Sequence, residues 1–377
     1  MKLNPVDGIV YILMKLLKRF FDNRLCGIEY FDPKVVRRIL IISSTALGDT
    51  LLSTPAISAV RKRYPEAAIF ALIHLNYLEL FTTNPHIDEF IPYYGGYKKF
   101  LLTVSRLRKL KPDTALILHG NEPQATPLAY LSGARFIFKI PIPSQYGFLL
   151  SNHTNGFTDS PWHHHAISVR LKTASFADCN EDDLRMVLPV NSEDSDAIKR
   201  LFHNFGFESK HILIGLQAGA ALNYKMWPES NFTALGKKLI ELNPDVGIIV
   251  TGSKVEKTLC TKIATDIGSK AVPLCGEHPL RLLGALINEL TVLITNDTGT
   301  MHVAIAVCTK TVSLFCPSHH WGVGRAYDFH LHKVIYKERP CAPCVTKKCE
   351  NPHCMEQISV VEVFSAVKEL IGKDSYI

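Results

Sequence analysis

The chain has 377 residues, of which 47% are hydrophobic and 20% are charged, and its formal net charge is +7. This length predicts about two domains, each with its own core, and the composition excludes an intrinsically disordered chain. The modest positive charge, without a recognition-helix or RNA-binding motif, argues against nucleic acid as a partner. No uncharged apolar run reaches the roughly 18 residues that a membrane-spanning helix requires.

The first predicted element is an amphipathic helix over residues 5–24. Its apolar side chains fall at helical spacing on one face: Ile9, Ile12, Leu13, Leu16, Leu17 and Phe20. Lys15, Lys18 and Arg19 lie on the other side, and the two lysines argue against a secretory signal peptide. The pattern suits a helix lying in the interface of an anionic membrane, and equally a helix packed on the protein's own surface.

Short apolar runs alternate with helical patterns from residue 38 onward. The expected strands are Arg38–Ser44, Ala68–His74, Thr114–His119, Arg135–Lys139, His211–Gln217, Val246–Thr251, Thr291–Thr295 and Thr311–Cys316. The expected helices cover residues 51–63, 97–110, 123–132, 230–242, 254–267, 279–289 and 300–307. Strands that alternate with helices predict an α/β fold with parallel sheets covered on both faces.

The two series of strands predict two α/β domains. The expected boundaries are residues 1–30 for the N-terminal helix, 31–190 for the N-terminal domain and 191–377 for the C-terminal domain. The polar stretches 180–183 and 191–196 are typical of a linker. The pattern leaves open whether the last helix, residues 359–371, packs in its own domain or returns to the N-terminal one.

The segment Ser43–Thr50 follows the first strand and precedes a helix. Its small residues and Gly48 come after the carboxyl end of a strand, where ligands bind in open α/β sheets. It contains neither a P-loop nor the dinucleotide-binding glycine pattern. Asp49 therefore has two interpretations, as a helix cap or as a functional carboxylate.

Similar loops follow strands of the second series. Gly219 lies in a small-residue loop that lets a ligand approach the backbone. Lys225 is placed to neutralise a phosphate, unless it is an ordinary surface lysine. Glu256 lies one turn into a helix, where a carboxylate either suits the helix dipole or binds ribose hydroxyls.

The most informative loop is Thr295–His302, between a strand and a helix of small residues. Asp297, Thr298 and the backbone amides from Gly299 onward are expected to converge at the N-terminus of that helix, with His302 on its first turn. Helix N-termini favour anions, so this arrangement suits a diphosphate. A capped helix with a packed histidine is the alternative.

Four cysteines lie close together near the C-terminus. They are Cys341, Cys344, Cys349 and Cys354. Four thiols in a reducing cytoplasm suit a structural zinc site, although the usual pair of Cys-x2-Cys motifs is missing. Thiols without a metal are the alternative interpretation.

Five motifs carry a family resemblance over about residues 36–370. They are Leu47-Gly48-Asp49 with Thr54-Pro55-Ala56-Ile57, then Lys225-x-Trp227-Pro228, Gly252-x3-Glu256, Asn296-Asp297-Thr298-Gly299-x-Met301-His302, and the final Cys354-Met355 after Pro-Cys pairs. In this order they resemble glycosyltransferase family 9, the lipopolysaccharide heptosyltransferases and their relatives. The resemblance implies a GT-B fold, in which two Rossmann-like domains with parallel sheets face each other across a cleft.

Matched by position, the resemblance also implies roles for individual residues. Asp49 takes the place of the general base, and Lys225 that of a catalytic lysine on the phosphate. The donor-binding set is Gly48, Gly219, Lys225, Glu256, Asp297, Thr298, Gly299 and His302. The polar strand end on the acceptor side is His119, Asn121 and Glu122.

These roles agree with the chemistry of an inverting transferase. A carboxylate can remove the proton of an acceptor hydroxyl as it attacks. A lysine and a helix N-terminus can stabilise the departing diphosphate, so no catalytic metal or other cofactor is expected. The acceptor is expected on the N-terminal domain and the nucleotide-sugar donor on the C-terminal domain.

The substrates are less well specified. Ser43–Ala46 is neutral where family members that transfer heptose often carry an arginine. We expect heptose transfer from ADP-heptose to a lipopolysaccharide core or related lipid-linked acceptor. The enzyme is expected in the cytoplasm, peripherally bound at the inner face of the anionic cytoplasmic membrane. The alternatives are a GT-B-type sugar-nucleotide epimerase or hydrolase, and a non-catalytic nucleotide-sugar-binding protein.

Overall fold

The computed structural model divides into two compact units, Met1–Val187 and Leu188–Ile377. The residues that it describes are 5–21, 24–120, 123–140, 146–154, 156–207, 212–316, 318, 320–341, 349 and 353–372. Each unit contains its own sheet, and every strand pairing within the described residues is parallel. The predicted α/β class is confirmed.

The N-terminal unit is built on a five-stranded sheet. Its strands are β1 (Arg38–Ser43), β2 (Ala68–His74), β3 (Glu89–Tyr93), β4 (Thr114–His119) and β5 (Phe136–Phe138). Its helices are α1 (Pro5–Phe21), α2 (Leu47–Arg63), α3 (Leu75–Phe81), α4 (Phe100–Leu110), α5 (Ala125–Ser132) and α6 (Ala166–Ser175). The strand order β3-β2-β1-β4-β5 reverses direction between β1 and β4, as in the Rossmann arrangement.

The C-terminal unit is built on a six-stranded sheet. Its strands are β6 (Ile212–Gln217), β7 (Val246–Gly252), β8 (Ala271–Cys275), β9 (Val292–Asn296), β10 (Lys310–Phe315) and β11 (His332–Tyr336). Its helices are α7 (Ser192–Asn204), α8 (Glu229–Leu242), α9 (Lys257–Ile267), α10 (Leu282–Asn288), α11 (Gly299–Ala306), α12 (His320–Val323) and α13 (Val360–Ile371). The order β11-β10-β9-β6-β7-β8 reverses between β6 and β9.

The central strands are apolar on both faces because helices cover both sides of each sheet. In β1, all four residues of Ile39–Ile42 are fully buried. Alternate residues of this run, Leu40 and Ile42, belong to a core cluster that also contains residues of α1, α4 and α5. Helix α2 contacts β1 and β4 and packs against α6. The continuous apolar runs that predicted these strands therefore reflect burial on two faces.

Helix α1 packs on the N-terminal unit through a face that differs from the predicted one. Met14 is 1% exposed and lies in the core cluster, and Val10, Tyr11 and Leu17 pack against that cluster. Of the apolar face predicted from spacing, only Leu17 takes part. Packing on the protein's own surface is thus observed, and most of the predicted apolar face stays exposed.

Helix α2 contains Pro55, whose ring nitrogen cannot donate to the carbonyl of Leu51. The hydroxyl of Thr54 donates to that carbonyl instead, at 2.7 Å. The same hydroxyl accepts the backbone N–H of Val187 at 2.8 Å, and Thr54 is fully buried. The Thr54 side chain therefore satisfies the carbonyl that the proline leaves without a backbone donor, and it also holds Val187, the last residue of the unit.

The core of the C-terminal unit includes the residues around Trp227 and helix α13. Trp227 is 1% exposed, and its indole N–H donates to the carbonyl of Ile358 at 2.8 Å. Val363 and Val367 of α13 are fully buried in the same core cluster. The C-terminal helix, whose packing the sequence left open, therefore packs within its own unit.

Three strands, β3, β8 and β11, and four helices, α3, α6, α7 and α12, were not predicted. All three strands lie at sheet edges and are only partly buried, so they lack a continuous apolar run. The expectation of a linker at residues 191–196 is wrong, because these residues form the N-cap and the first turn of α7. The side chain of Asn191 accepts the backbone N–H of Asp194 at 2.7 Å and caps that helix.

The contacts of Thr54 give a first prediction. Thr54→Val keeps the shape of the side chain but leaves the Leu51 carbonyl and the Val187 N–H without their hydroxyl partner. We expect the free energy of unfolding to fall by about 1–3 kcal/mol. Thr54→Ser keeps the hydroxyl and should lose less than half as much. Urea denaturation followed by circular dichroism measures both, and equal losses would contradict the role of the hydroxyl.

Candidate functional site

The predicted site residues follow the strands between which each sheet reverses its order. In the N-terminal unit Ser43 of β1 pairs with His119 of β4. In the C-terminal unit Gln217 of β6 pairs with Thr295 of β9. Connections from such strands leave toward opposite faces of the sheet, which opens a crevice beyond the carboxyl ends. Ligand sites are common at such points, and a few polar groups in them orient the ligand, so polar side chains are expected at both.

Asp49 lies in the first turn of helix α2, at its third residue. The N-cap residue is Ala46, so the interpretation of Asp49 as the cap is wrong, and Gly48 also belongs to the helix. The positive end of the helix dipole nevertheless favours a carboxylate in this turn. The side chain of Asp49 is 30% exposed, which leaves it within reach of a ligand.

Both carboxylate oxygens of Asp49 are held by side chains. Arg170 of α6 donates from Nη2 to Oδ1 at 3.0 Å, and Thr45 donates from Oγ1 to Oδ2 at 2.9 Å. The Nε of Arg170 donates to Ser53 Oγ at 3.0 Å, and Ser53 Oγ in turn donates to the backbone carbonyl of Asp49 at 2.9 Å. The carboxylate is thus fixed in orientation from two sides.

The Arg170 side chain is only 3% exposed. Burial lowers the pKa of Arg170 to about 10, against the opposing attraction of the Asp49 carboxylate. At neutral pH the guanidinium is therefore charged. A buried charge without a partner is costly, so the pair with Asp49 stabilises both the arginine and the ionised carboxylate.

His119 ends strand β4 next to the same carboxylate. Its Nε2 lies 3.6 Å from Asp49 Oδ1, and its Nδ1 lies 2.6 Å from Thr45 Oγ1. Removal from water and the charge of Arg170 lower the pKa of His119 to about 4, although Asp49 acts in the opposite direction. The ring is therefore neutral near pH 7. When Thr45 donates to Asp49, Nδ1 must carry the hydrogen that Thr45 accepts.

Asn296 joins three loops of the C-terminal unit. It is fully buried at the end of β9. Its Nδ2 donates to the carbonyl of Ala218 at 2.8 Å, in the loop after β6. Its Oδ1 accepts the backbone N–H of Trp227 at 3.0 Å, in the segment before α8. The side-chain amide of Asn296 therefore holds the segments that carry Gly219 and Lys225 next to Asp297, the residue that follows Asn296.

Lys225 and Asp297 form an ion pair. Nζ of Lys225 lies 2.5 Å from Oδ2 of Asp297, with side-chain exposures of 22% and 9%. The structure therefore brings these two predicted residues together although 72 positions separate them. Asp297, an anion, does not suit a diphosphate directly. Its contact indicates instead that it orients the lysine, whose ammonium group does suit one.

Glu256 lies against Gly219 in the same unit. Its Oε2 accepts the backbone N–H of Ser253 at 2.6 Å and the Ser253 hydroxyl at 2.8 Å. A Cβ atom added to Gly219 would lie 1.7 Å from Oε1. The glycine is therefore required for this carboxylate to reach the loop after β6, a position in which carboxylates bind ribose hydroxyls in nucleotide folds.

The predicted helix N-terminus is present at the end of β9. Thr298 is the N-cap residue of α11, and Gly299 is its first residue. The Thr298 hydroxyl lies 3.5 Å from that of Thr295. His302 is 5% exposed, so most of its ring is enclosed by protein rather than open to an anion.

Other predicted residues fall partly outside the described part of the chain. Asn121 and Glu122 lie outside it, and so does Cys344 of the four-cysteine cluster. Cys354 is 5% exposed in the hydrophobic core. Within the described residues no group of three or more His, Cys, Asp or Glu side chains is placed to hold a metal ion. The structural zinc site stays a prediction.

The sequence did not predict a site role for Arg170, Thr45 or Asn296. Arg170 is 121 positions from Asp49 and lies on a helix that was not predicted. A single arginine in a mixed polar and apolar segment gives no periodic signal. Asn296 was noticed only as part of a motif, and a buried strand that ends in an asparagine was the signal for its role.

The sequence is similar to known glycosyltransferases. The sequence model of glycosyltransferase family 9 (heptosyltransferase) matches residues 143–355. Among curated proteins, lipopolysaccharide heptosyltransferase 2 of Salmonella typhimurium is 26% identical over 303 residues, which cover 74% of this chain and 83% of that protein.

Solved structures show the same fold. The glycosyl transferase family 9 structure from Veillonella parvula has a TM-score of 0.76 and 23% identity, over 90% of this chain and 98% of that chain. The structure of E. coli ADP-heptose LPS heptosyltransferase II has a TM-score of 0.73 and 21% identity, over 89% and 98%. The predicted GT-B fold class, with two Rossmann-like units, is confirmed by this likeness.

The pair of Arg170 with Asp49 gives a second prediction. Arg170→Gln removes a positive charge beside His119, so the pKa of His119 should rise from about 4. It also leaves the Asp49 carboxylate, which is 30% exposed, without its charged partner, and this should lower the free energy of unfolding by about 1–3 kcal/mol. A proton NMR titration of the His119 ring, assigned with His119→Asn, measures the first effect.

Arg170→Lys is the matched control, since it keeps the charge. Its His119 should titrate close to that of the natural protein. If the pKa of His119 does not move in Arg170→Gln, the charge of Arg170 does not lower it, and the electrostatic role of Arg170 at this site is wrong.

Proposed function

The chain belongs to glycosyltransferase family 9, the heptosyltransferase family, and on that premise we propose that it transfers heptose from ADP-heptose to a lipopolysaccharide core or related lipid-linked saccharide. The family match and the curated relative establish a glycosyltransferase of this family. The observation that carries the proposed transfer chemistry is the Asp49 carboxylate, held by Arg170 and Thr45 beyond the carboxyl end of β1.

Asp49 acts in this proposal as the general base. The acceptor O–H bond breaks and its proton passes to a carboxylate oxygen of Asp49, while the hydroxyl oxygen forms a bond to the anomeric carbon of the donor. The bond from that carbon to the diphosphate breaks, and its electron pair leaves with the nucleotide. Attack opposite to the leaving group inverts the anomeric centre.

The hydrogen bonds to Asp49 favour this role. Thr45 and Arg170 each donate to one carboxylate oxygen of Asp49, and the side chain is still 30% exposed, so an acceptor hydroxyl can reach it. Because Arg170 and Thr45 already fix the carboxylate, little ordering is needed when the acceptor binds. Neutral His119, 3.6 Å away, adds no charge that would compete for the carboxylate.

The C-terminal unit supplies the proposed donor site. Lys225 and the N-terminus of α11 offer positive charge to the diphosphate as negative charge develops on it. Glu256, placed against Gly219, offers a carboxylate oxygen to the ribose. We propose that these groups do the work for which other transferases use a divalent cation. The similar E. coli structure is named as an ADP-heptose LPS heptosyltransferase, and this supports ADP-heptose as the donor.

The acceptor places the reaction at a membrane. The curated relative is named for lipopolysaccharide, a glycolipid, and we propose an acceptor of that class. A lipid-linked acceptor at the inner face of the cytoplasmic membrane requires that the enzyme works at that surface.

The third prediction tests the base. Asp49→Asn should lower kcat by about a hundredfold to ten-thousandfold, because the amide cannot take the proton. ADP should bind nearly as well as to the natural protein, since the proposed nucleotide contacts lie on Lys225, Glu256 and α11. Radiolabelled heptose transfer measures kcat, and thermal shift with ADP measures binding.

Asp178→Asn is the matched control, because Asp178 is a half-exposed aspartate paired with an arginine, Arg63, as Asp49 is paired with Arg170. It should keep full activity. Retained turnover in Asp49→Asn would exclude the base assignment. Release of the sugar from the donor without any acceptor would instead favour the hydrolase alternative, and a changed sugar still attached to nucleotide would favour the epimerase.

The fourth prediction tests the donor site. Gly219→Ala adds a Cβ that overlaps Glu256 Oε1, so the carboxylate must swing away. We expect ADP affinity to fall about tenfold, because one good hydrogen bond to a charged group contributes about 1.5–3 kcal/mol. The stability of the protein should fall by less than about 1 kcal/mol, since a flexible carboxylate can move.

Gly322→Ala is the control for this substitution, because nothing lies within 4 Å of its added Cβ. It should leave ADP affinity unchanged. Equal ADP affinity in Gly219→Ala and Gly322→Ala, measured by isothermal titration calorimetry, would remove Glu256 from the nucleotide site.

A further inference from the structure

Helix α1 carries an exposed apolar stripe, here called the outer stripe. Its residues are Val6, Ile9, Ile12, Leu13, Leu16 and Phe20, with exposures between 44% and 66%. At about 100° per residue they cover an arc of about 120°. Single exposed apolar side chains are ordinary on a protein surface, but a contiguous set on one helix face indicates an interaction surface.

The outer stripe cannot turn inward, because the opposite side of α1 is anchored. Met14 is buried in the core cluster, with Val10 and Leu17 beside it. The Tyr11 ring packs edge-on against the rings of Tyr146 and Phe148, each at 5.8 Å between centroids. Rotating the helix would expose this anchoring side. The helix therefore has two apolar sides, one of which holds it on the N-terminal unit.

Basic side chains border the outer stripe. Lys15 and Arg19 are exposed and lie along one edge of it by helical spacing. Arg19 lies over the ring of Phe20, at 5.3 Å from the ring centroid. The single acidic residue of α1, Asp7, accepts a hydrogen bond from the Tyr97 hydroxyl at 2.9 Å, away from this edge. Apolar side chains beside a cationic edge match acyl chains beside lipid phosphates.

We propose that the outer stripe of α1 docks in the surface of an anionic lipid bilayer. No helix in the described part of the chain is long and apolar enough to cross a membrane. The helix lies parallel to the surface, with Ile9, Leu16 and Phe20 among the acyl chains and Lys15 and Arg19 at the phosphates. Because α1 is anchored on the unit that carries Asp49, docking keeps that unit at the surface.

This inference rests on the proposed function in one respect: a lipid-linked acceptor explains why the enzyme would bind a membrane. Vesicle binding is measured without donor, acceptor or turnover. A protein that binds vesicles but transfers no heptose would contradict the proposed function alone. A protein that transfers heptose to a detergent-solubilised acceptor but does not bind vesicles would contradict this inference alone.

The test is flotation of the full chain with vesicles of equal parts phosphatidylglycerol and phosphatidylcholine. The natural protein should float with them, and less of it should float with phosphatidylcholine alone or at about 1 M salt, where the Debye length is about 3 Å. The double variant Ile9→Ser with Leu16→Ser should bind at least about tenfold more weakly, since it removes apolar area from the stripe.

Two matched controls separate the stripe from general effects. Leu101→Ser alters another exposed apolar residue of the same unit, 80% exposed on α4, and should not change binding. Lys15→Gln with Arg19→Gln should reduce binding to anionic vesicles about tenfold, whereas Arg106→Gln with Lys109→Gln, also exposed and on α4, should reduce it far less.

Two outcomes would overturn the inference. One is equal flotation of the natural protein and the Ile9→Ser, Leu16→Ser variant when both have the same thermal stability. The other is a dimer of the natural protein in sedimentation velocity that the same variant dissociates, with no flotation of either. The second result would assign the outer stripe to a second copy of the chain.

Discussion

The reversal of strand order within each sheet determines where this protein can expose polar groups. Strands β1 and β6 lie inside their sheets and are buried on both faces, so they offer no polar surface along their length. After the carboxyl ends of β1 and β6 the chain continues toward one face of the sheet. After the neighbouring strands β4 and β9 it continues toward the opposite face. Asp49 and His119 in one unit, and Gly219 and Asp297 in the other, follow from this single constraint.

Buried polar side chains then fix the loops at these points. In the N-terminal unit the charge of Arg170 is buried, and its hydrogen bonds to Asp49 and Ser53 offset part of the cost of that burial. In the C-terminal unit Asn296 satisfies the backbone of two other segments. Both devices restrict the loops before any ligand binds, which reduces the ordering that binding requires.

Local pattern predicted the central strands and the loops after them, because burial on two faces gives a continuous apolar run that ends at the site. It did not predict the edge strands β3, β8 and β11, which have no such run. It also could not predict which distant residue meets which loop. Arg170 and Asp49 are 121 positions apart, and no periodicity within a segment records a pairing of that kind.

Helix α1 shows a related limit. Its spacing gave one apolar face, and the face that packs on the core is mostly a different one, centred on Met14. A helix that is apolar over most of its circumference fits several orientations equally well by pattern alone. The orientation of α1 depends on the surface of the N-terminal unit, where the Tyr11 ring packs against the rings of Tyr146 and Phe148.

The charges in the two units are arranged as pairs, and this bears on how the proposed reaction proceeds. Asp49 is matched by Arg170, and Lys225 is matched by Asp297. Arg170 favours the ionised form of Asp49, so a proton moves to this carboxylate only when the acceptor oxygen is already losing charge to the anomeric carbon. In the proposed reaction, negative charge that develops on the diphosphate would likewise compete with Asp297 for Lys225. Both pairings therefore favour a transition state in which bond formation, proton transfer and departure of the nucleotide occur together.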